Sequence, residues 1–265
     1  MVDFENKPSY DVNDLIRLIS LLRGPGGCPW DSEQTHGSIR RNLLEEAYEA
    51  AEAIDDDDMD HLTEELGDVL MQVVFHADIA EKSGHFDLGK IADATCRKLI
   101  RRHPHVFGEV RARNGSESLV FWEDIKSEEK RHDSTADAMR SVARSLPALW
   151  RAEKVQKKAA KVGFDWPEHT GALDALRSEL NELEDAISSG KGEGVGEELG
   201  DLIFSAVNVA RFFGIDPEQA LGASCDKFIS RFSCLEGRAR DQGRQLKDMS
   251  LDEMEELYQQ AKLEK

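Results

Sequence analysis

The fold is decided by the stretch LLEEAYEAAEAI at 43–54, followed by TEELGDVL at 63–70. The chain repeats this pattern once, as LRSELNELEDAI at 176–187 and GEELGDLI at 196–203. Each copy holds two acidic residues three apart and then a second such pair, and each corresponding residue comes 133 positions later in the second copy. The corresponding residues are Glu46 and Glu179, Glu49 and Glu182, Glu65 and Glu198, and Asp68 and Asp201. The repeat predicts a duplicated helical domain.

The spacing of these acids predicts a metal site in each copy. Residues three apart lie on one face of a helix, so each pair projects its carboxylates together, where like charges repel. Asp68 and Asp201 stand in nearly apolar stretches that we expect to be buried, and a buried unpaired carboxylate costs several kcal/mol. A cation held by four carboxylates offsets that cost. Oxygen ligands without paired His or Cys favour Mg²⁺, Mn²⁺ or Ca²⁺ over zinc.

Composition limits the classes of partner. The chain has 265 residues, 40% of them hydrophobic, and a net charge of −19. This charge argues against non-specific binding to nucleic acid or to an acidic membrane, so neither is expected as a partner. No run approaches 18 apolar residues, no signal peptide is visible, and the four cysteines form no C-x-x-C pair. We expect a cytoplasmic protein with free thiols.

Apolar periodicity predicts an all-α fold of two helical-bundle domains. We predict an N-terminal domain at 1–110, a connector at 111–145 and a C-terminal domain at 146–265. The polar runs RNGSES and SEEKRHDSTAD favour a solvated connector, the second of them as exposed helix or flexible link. A final helix over LDEMEELYQQAKLEK has no counterpart in the first copy. Helices are expected at about 11–23, 38–54, 60–82, 88–102, 171–188, 195–213 and 217–240.

A basic pair follows each acidic hairpin. TCRKLIRR at 95–102 resembles SCDKFISR at 224–231, so Lys98 with Arg102 matches Lys227 with Arg231. Residues four apart share a helix face, where they could grip phosphate oxygens. Ordinary surface cations are the alternative interpretation.

The chain resembles the all-α nucleoside triphosphate pyrophosphohydrolases, and most fully the MazG family. The motif E-E-x-x-E followed by E-x-x-D is complete in the first copy. The stretches CPWDSEQTHGSIRRNLLEEAYE, RRHPHVFG and KVGFDW extend the similarity over nearly the whole chain.

The resemblance implies an enzyme, a hydrolase that binds nucleoside triphosphates such as ATP. It implies cleavage between the α- and β-phosphates, giving a nucleoside monophosphate and pyrophosphate with broad base specificity. Mg²⁺, with Mn²⁺ as a substitute, is the implied cofactor, and a homodimer the implied assembly. Carboxylate-held Mg²⁺ suits this chemistry because it neutralises developing charge and lowers the pKa of water.

The resemblance also assigns roles to residues. Four carboxylates of the second copy would be catalytic metal ligands: Glu179, Glu182, Glu198 and Asp201. The equivalents in the first copy would bind metal as well: Glu46, Glu49, Glu65 and Asp68. Lys227 and Arg231 would contact the phosphates, and Tyr258 and Lys262 would lie near the nucleotide. Lys98 and Arg102, which match Lys227 and Arg231 in the internal repeat, are expected to contact the substrate as well. Asn208 lies seven residues after Asp201, on the same helix face, and is expected to touch sugar or base, a satisfied core amide being the alternative.

Two departures separate the copies. Ser178 replaces the first motif glutamate, which is Glu45 in the first copy, and Phe75 stands where the second copy has Asn208. The first copy also lacks the tail residues. We therefore expect the C-terminal copy to be the main catalytic site, and the N-terminal copy to be a second catalyst, a structural metal unit or a dimerisation module.

Three other interpretations stay open. One is a narrow-substrate relative acting on dUTP or phosphoribosyl-ATP, and another is a non-catalytic helical regulatory protein. The third, a di-iron bundle, needs E-x-x-H on paired core helices, and Glu33–His36 and Glu129–His132 have that spacing outside the apolar hairpins.

Overall fold

The computed structural model describes residues 4–129 (without the side chains at 127 and 128), 133–190, 192 and 194–263. The chain forms two compact units, Met1–Glu129 and Lys130–Lys265. The described residues contain helices, turns and loops but no strand, which confirms the all-α class. Each unit contains one copy of the acidic repeat.

The first unit holds seven helices among its described residues: α1 (Val12–Leu22), α2 (Pro29–Glu33), α3 (Arg40–Asp55), α4 (Met59–Lys82), α5 (Leu88–Arg102), α6 (Pro104–Phe107) and α7 (Gly115–Glu129). Local sequence sets where they begin. The Asp11 side chain accepts from the backbone N–H of Asn13 and Asp14 in a capping box, and Asp87 accepts from the N–H of Lys90. Pro104 ends the continuation of α5 and opens α6.

The second unit holds α8 (Thr135–Arg140), α9 (Ala148–Ala160), α10 (His169–Ser188), α11 (Val195–Phe212), α12 (Pro217–Asp241), a short 3₁₀ turn (Leu246–Asp248) and α13 (Leu251–Leu263). Pro217 opens α12 after the Asp216 cap. The seven helices predicted from periodicity begin and end within two residues of their observed bounds.

In the first unit α1 packs against α4, the second helix of the acidic hairpin. The core between them is Ile19, Ile39, Val74, Phe75 and Ile79. Leu15, Ile16, Leu22, Met71 and Leu88 pack around it. Because one face of α4 packs against α1, α3 packs against another face of α4.

In the second unit α9 packs against α11 and so corresponds to α1. The Gln156 side chain donates to the backbone oxygen of Phe204 at 2.8 Å, and the Trp150 indole donates to the Asp216 carboxylate at 2.9 Å. The tail adds a separate core in which Leu235 and Ala239 of α12 meet Leu257 of α13. The C-terminal helix is therefore part of this unit.

The segment predicted as a connector is more structured than a solvated link. Helix α7 occupies 115–129 and packs on α5, and α8 packs on α9. Residues 130–132, including the His132 of the di-iron hypothesis, lie outside the described part of the chain. The domain bounds at 110 and 146 stay predictions. Among the described helices, none has the length and apolar character needed to cross a bilayer.

Candidate metal and nucleotide site

Two helical hairpins carry the acidic residues. Helices α3 and α4 pack along each other in the first unit, as do α10 and α11 in the second. The first turn is short: Asp57 takes a left-handed φ of 55°, and the Asp58 side chain caps α4 by accepting from the N–H of His61. The second turn uses glycines with positive φ, at Gly190, Gly192 and Gly194. Both turns place the motif acids of one helix opposite those of the next.

Each hairpin brings three carboxylates together. Oxygen atoms of Glu46, Glu49 and Glu65 all lie within 4.8 Å of one another. The second unit repeats this arrangement with Glu179, Glu182 and Glu198. Glutamates separated by up to 19 residues in sequence thus meet because the helices run antiparallel. Both helices of each hairpin therefore contribute carboxylates to one cluster.

Crowding and burial shift the pKa of these glutamates. Burial raises the pKa of Glu46, and the charges of Asp68, Glu49 and Glu65 raise it further. The pKa of Glu179 is raised in the same way, by burial and then by Glu182, Asp201 and Glu198. The pKa values of Glu65 and Glu198 are also raised, in each case first by burial. In each copy, burial and the neighbouring negative charges therefore disfavour the charged form of these two glutamates.

The donor set fits a hard divalent cation. Glu65 is buried, and its Oε2 makes no hydrogen bond within the described residues. Its Oε1 lies 3.1 Å from Nε2 of His61. A buried carboxylate oxygen without a partner is costly, and the clustered oxygens are the ligand type of Mg²⁺ and Mn²⁺. The second cluster offers the same oxygens without a histidine, because Gly194 stands at the position of His61.

The fourth predicted ligand of each copy stands slightly apart. Neither Asp68 nor Asp201 belongs to the groups of oxygens within 4.8 Å, although both raise the pKa of their glutamate neighbours. The expected burial of their surroundings is wrong for the second copy, where Asp201 is exposed and Ile203 and Phe204 are 45% and 43% exposed.

Ser178, the departure from the motif, contacts the acidic cluster. Its hydroxyl donates to Oε1 of Glu182 at 3.0 Å. In the first copy Glu45 occupies this position and pairs with Arg41 at 2.6 Å instead. The serine therefore orients a predicted metal ligand, whereas the glutamate that it replaces points to a neighbouring cation.

The two basic pairs have different surroundings. Arg102 is buried, donates to Oε2 of Glu129 from Nε at 3.0 Å and from Nη2 at 2.6 Å, and lies over the Trp122 ring. Nε of Arg231 is buried without a hydrogen bond among the described residues. Lys98 is half-buried and Lys227 exposed. In the described part of the chain, only the second copy therefore holds its arginine without a carboxylate clamp.

Asn208 belongs to a polar network. Its Oδ1 accepts from Nε and Nη2 of Arg211 at 3.0 and 2.7 Å. Arg211 in turn donates to both carboxylate oxygens of Asp165, at 2.8 and 2.5 Å, which lowers the Asp165 pKa. Sequence reasoning missed both partners. The available signal was the family-like stretch KVGFDW, whose aspartate had no assigned role.

The predicted tail residues lie beside aromatic side chains. The Tyr258 ring packs 5.7 Å from Phe228 of α12, and Nζ of Lys262 lies 5.5 Å from the Tyr258 centroid. Phe228 precedes Arg231 by three residues on the same helix. The described structure thus places Tyr258 and Lys262 near the α12 face that carries the basic pair.

Comparison with models of protein families shows to which family the chain belongs. The model described as the MazG nucleotide pyrophosphohydrolase domain matches twice, at residues 34–107 and 168–233. The chain belongs to the MazG family. Both matches contain a complete acidic hairpin, so the repeat recognised in the sequence is a repeat of the family's domain.

Relatives extend the MazG similarity beyond the two domains. The chain is 42% identical over 257 residues to a nucleoside triphosphate pyrophosphohydrolase of Escherichia coli strain K12, covering 95% of this chain and 97% of that protein. It is 41% identical to the nucleoside triphosphate pyrophosphohydrolase/pyrophosphatase MazG of Thermotoga maritima, covering 94% of each. It is 46% identical to YabN of Bacillus subtilis over 96% of this chain, but spans only 52% of YabN.

Proposed function

We propose that the protein hydrolyses nucleoside triphosphates between the α- and β-phosphates, releasing a nucleoside monophosphate and pyrophosphate. The observation that carries this proposal is the cluster of three glutamate carboxylates within 4.8 Å, formed twice by the family's own hairpin. The names of the Escherichia coli and Thermotoga relatives support it. Broad base specificity is proposed with it, as the family resemblance implies.

The glutamates of each cluster would hold Mg²⁺, with Mn²⁺ as a substitute. When bound, the cation supplies charge neutralisation for the phosphates and acidifies a water. The carboxylates of Glu179, Glu182 and Glu198 would position it, and Asp201 lies close enough to raise the pKa of two of them. A carboxylate of this group that is not committed to the cation accepts the proton of the attacking water. The water oxygen forms a new bond to one phosphorus of the α–β anhydride as the bond from that phosphorus to the bridging oxygen breaks, and the bridging oxygen leaves with the other product, so that the nucleoside monophosphate and pyrophosphate separate.

We place the main catalytic site in the second copy. Nε of Arg231 is buried and makes no hydrogen bond among the described residues, whereas Arg102 is held by Glu129. A guanidinium already paired with a carboxylate has fewer donors for phosphate oxygens. Lys227 and Arg231 would therefore contact the phosphates, and Tyr258 with Lys262 would lie beside the nucleoside. The N-terminal copy is left with a metal-binding or assembly role.

We also propose a homodimer. Apolar side chains of the second hairpin and of α12 remain exposed in the single chain, including Ile203, Phe204 and Ile229. Exposed apolar area of this kind is typical of a surface that another chain covers. Sedimentation over a range of concentrations tests this proposal, and a monomer at every concentration would contradict it. The cytoplasmic location expected from the sequence stays a prediction.

Product analysis tests the activity. ATP, dCTP, dTTP and dUTP are incubated with the full chain in Mg²⁺, alongside Glu179→Ala and Glu46→Ala. Nucleoside monophosphate and pyrophosphate, lost in Glu179→Ala and retained in Glu46→Ala, are the expected results. Loss only with Glu46→Ala would move the site to the first copy. Diphosphate with orthophosphate would refute the bond assignment, and turnover of dUTP alone would favour the narrow-substrate alternative.

A further inference from the structure

We propose that Asp165 and Arg211 are positioning residues that fix the amide of Asn208 with its two N–H donors facing the nucleoside end of the substrate. The inference rests on the proposed function, because it concerns the nucleotide bound in the second copy. It gives a role to the KVGFDW segment, which the acidic motif leaves without one.

The geometry is a three-residue relay between a loop and α11. Asp165 lies in the loop after α9, and its two carboxylate oxygens accept hydrogen bonds from Nη1 and Nη2 of Arg211. The same guanidinium donates hydrogen bonds from Nε and Nη2 to Oδ1 of Asn208, which lies one turn earlier on α11. The Arg211 side chain is only 11% exposed. A bidentate and largely covered pair has a well-defined orientation.

Chemistry then fixes which way the amide faces. A guanidinium has five donors and no acceptor, so only the amide oxygen of Asn208 can face it. The amide nitrogen must point the other way. Within the described residues Nδ2 of Asn208 has no hydrogen-bond partner. Its two N–H groups therefore remain for a ligand that offers acceptors, such as a base carbonyl, a ring nitrogen or a sugar oxygen.

Position along α11 indicates which part of the ligand this is. Glu198, Asp201 and Asn208 follow one another at helical spacings on one face of α11. Seven residues separate Asp201 from Asn208, which is about 10 Å along the helix axis. With the phosphates at the acidic end, this distance places the amide beside the nucleoside and away from the phosphates.

The first unit lacks this donor. There the equivalent positions carry Phe75 and Asp78, and the loop after α1 supplies Arg23. The cation lies over the Phe75 ring at 4.8 Å instead of holding an amide. The same position on the second hairpin helix therefore carries an apolar ring, Phe75, in the first copy and two oriented N–H donors, those of Asn208, in the second.

The loop that supplies Asp165 is itself held in place. The Asp165 carboxylate accepts from the backbone N–H of Trp166 at 2.9 Å. A Cβ at Gly171 would lie 2.8 Å from the Trp166 ring, so the glycine lets that ring pack closely on the start of α10. The loop thus presents Asp165 from a supported position.

Calorimetry of the full chain with non-hydrolysable ligands tests the inference. The probes are the α,β-imido deoxynucleoside triphosphates of all four bases, and inorganic triphosphate, which has no nucleoside. Asn208→Ala and Asp165→Asn are compared with the double variant. The matched control is Asp174→Asn, the same change in an arginine pair that is about 70% exposed on α10. Thermal melts verify that every variant is folded.

We expect Asn208→Ala to weaken nucleotide binding about three- to tenfold, the range for one lost hydrogen bond, and to leave triphosphate binding unchanged. Asp165→Asn should weaken nucleotide binding in the same selective way, and should add nothing in the Asn208→Ala background, because both act through one amide. A loss that varies among the four bases assigns the contact to the base. An equal loss assigns it to the sugar.

Other results overturn the inference. Unchanged nucleotide affinity in Asn208→Ala, equal losses for nucleotide and triphosphate, or an additive double variant would each show that the relay does not orient a nucleoside contact. These outcomes differ from failure of the proposed function, in which the wild-type chain binds the imido nucleotides no better than it binds triphosphate and hydrolyses none of the natural substrates.

Discussion

Asp78 and Arg211 occupy equivalent positions on α4 and α11 but carry opposite charges. Each forms an ion pair with a residue from a loop: Asp78 with the loop after α1, and Arg211 with the loop after α9. Asp78 accepts from Nε of Arg23 at 2.7 Å, and Arg211 clamps Asp165. The repeat has thus kept a loop-to-helix ion pair in both units while reversing its polarity. Both pairs sit at the end of the hairpin helix away from the acidic motif.

The buried pair of the first unit should be important for stability. Arg23 also donates to the backbone oxygens of Asp31 and Gln34, so it joins the end of α1 to α2 and α4. Arg23→Met should lower the free energy of unfolding by about 3 kcal/mol, because among the described residues it leaves the buried Asp78 carboxylate with Lys82 as its one basic partner. Urea unfolding followed by circular dichroism measures this.

Arg97→Met is the control for that change. Arg97 and Asp93 form an ion pair at 2.7 Å in the same unit, with both side chains largely exposed. Its loss should cost less than about 0.5 kcal/mol. Equal effects of the two substitutions would mean that the Arg23 pair is not shielded from water in solution.

Gly27 should be intolerant of any side chain. A Cβ built there would fall far inside contact distance of the backbone oxygens of Leu21 and Leu22. Gly27→Ala must therefore move the loop away from the end of α1, and we expect it to cost at least about 1–3 kcal/mol, as overpacking does. Gly37→Ala, whose Cβ would meet only Thr35 Oγ1 at 3.7 Å, serves as the comparison in the same thermal melts. Matching melting temperatures would contradict the close approach of this loop to the helix end.

Glu129 should make the first unit acid-sensitive. Hydrogen bonds from Arg102 and then Arg101 lower the pKa of Glu129 to about 2, against an ordinary value of 4.5. A lowered pKa in the folded state stabilises the protein above pH 4.5, and this contribution is lost as the pH falls toward 2. Glu129→Gln should therefore reduce stability at pH 7 and flatten its pH dependence below about pH 4.5.

Denaturant unfolding at several pH values between about 7 and 3 tests whether the ionised Glu129 stabilises the fold and whether this stabilisation is lost on acidification. Asp124→Asn, an exposed carboxylate on the same helix, is the control. The wild type and this control should lose stability together on acidification, and Glu129→Gln should lose less. A variant that parallels the wild type over the whole range would show that the Arg102 pair does not contribute.

Ser178 should tune metal affinity in the second cluster. Ser178→Ala removes the hydrogen bond to Glu182, and we expect Mn²⁺ to bind about two- to fivefold more weakly, the range for one neutral-donor contact. Ser178→Thr keeps the hydroxyl and should bind as the wild type does. Mn²⁺ titration without nucleotide, in a Glu65→Gln background that disables the first cluster, isolates the effect. Identical affinities for Ala and Thr would mean that the hydroxyl has no part in holding Glu182.

Local sequence was sufficient for most of the fold. Helix bounds follow from apolar periodicity and from caps such as Asp11 and Asp58, which act within four residues. The meeting of Glu46 with Glu65 follows from two helices and a short turn. These features depend on contacts near in sequence, and periodicity reports such contacts directly.

The remaining features depend on contacts between distant parts of the chain. Nothing in the sequence around Arg102 indicates that Glu129 will clamp it, because the pair is made by α7 packing back on α5. The sequence of α7 is weakly patterned, and for that reason it resembles a connector. Likewise, the sequence around Asn208 does not predict that its amide oxygen accepts hydrogen bonds from Arg211. The conformation of Arg211 depends on Asp165, which is 46 residues away in the sequence.

The reversed polarity of the two loop-to-helix pairs bears on how a duplicated chain assembles correctly. If the loop after α1 docked on α11, Arg23 would meet Arg211, and if the loop after α9 docked on α4, Asp165 would meet Asp78. Both exchanges bring like charges together in places that each fold shields from water, where repulsion is strong. The reversed polarity therefore favours docking of each loop on the hairpin that follows it over docking on the equivalent hairpin of the other unit.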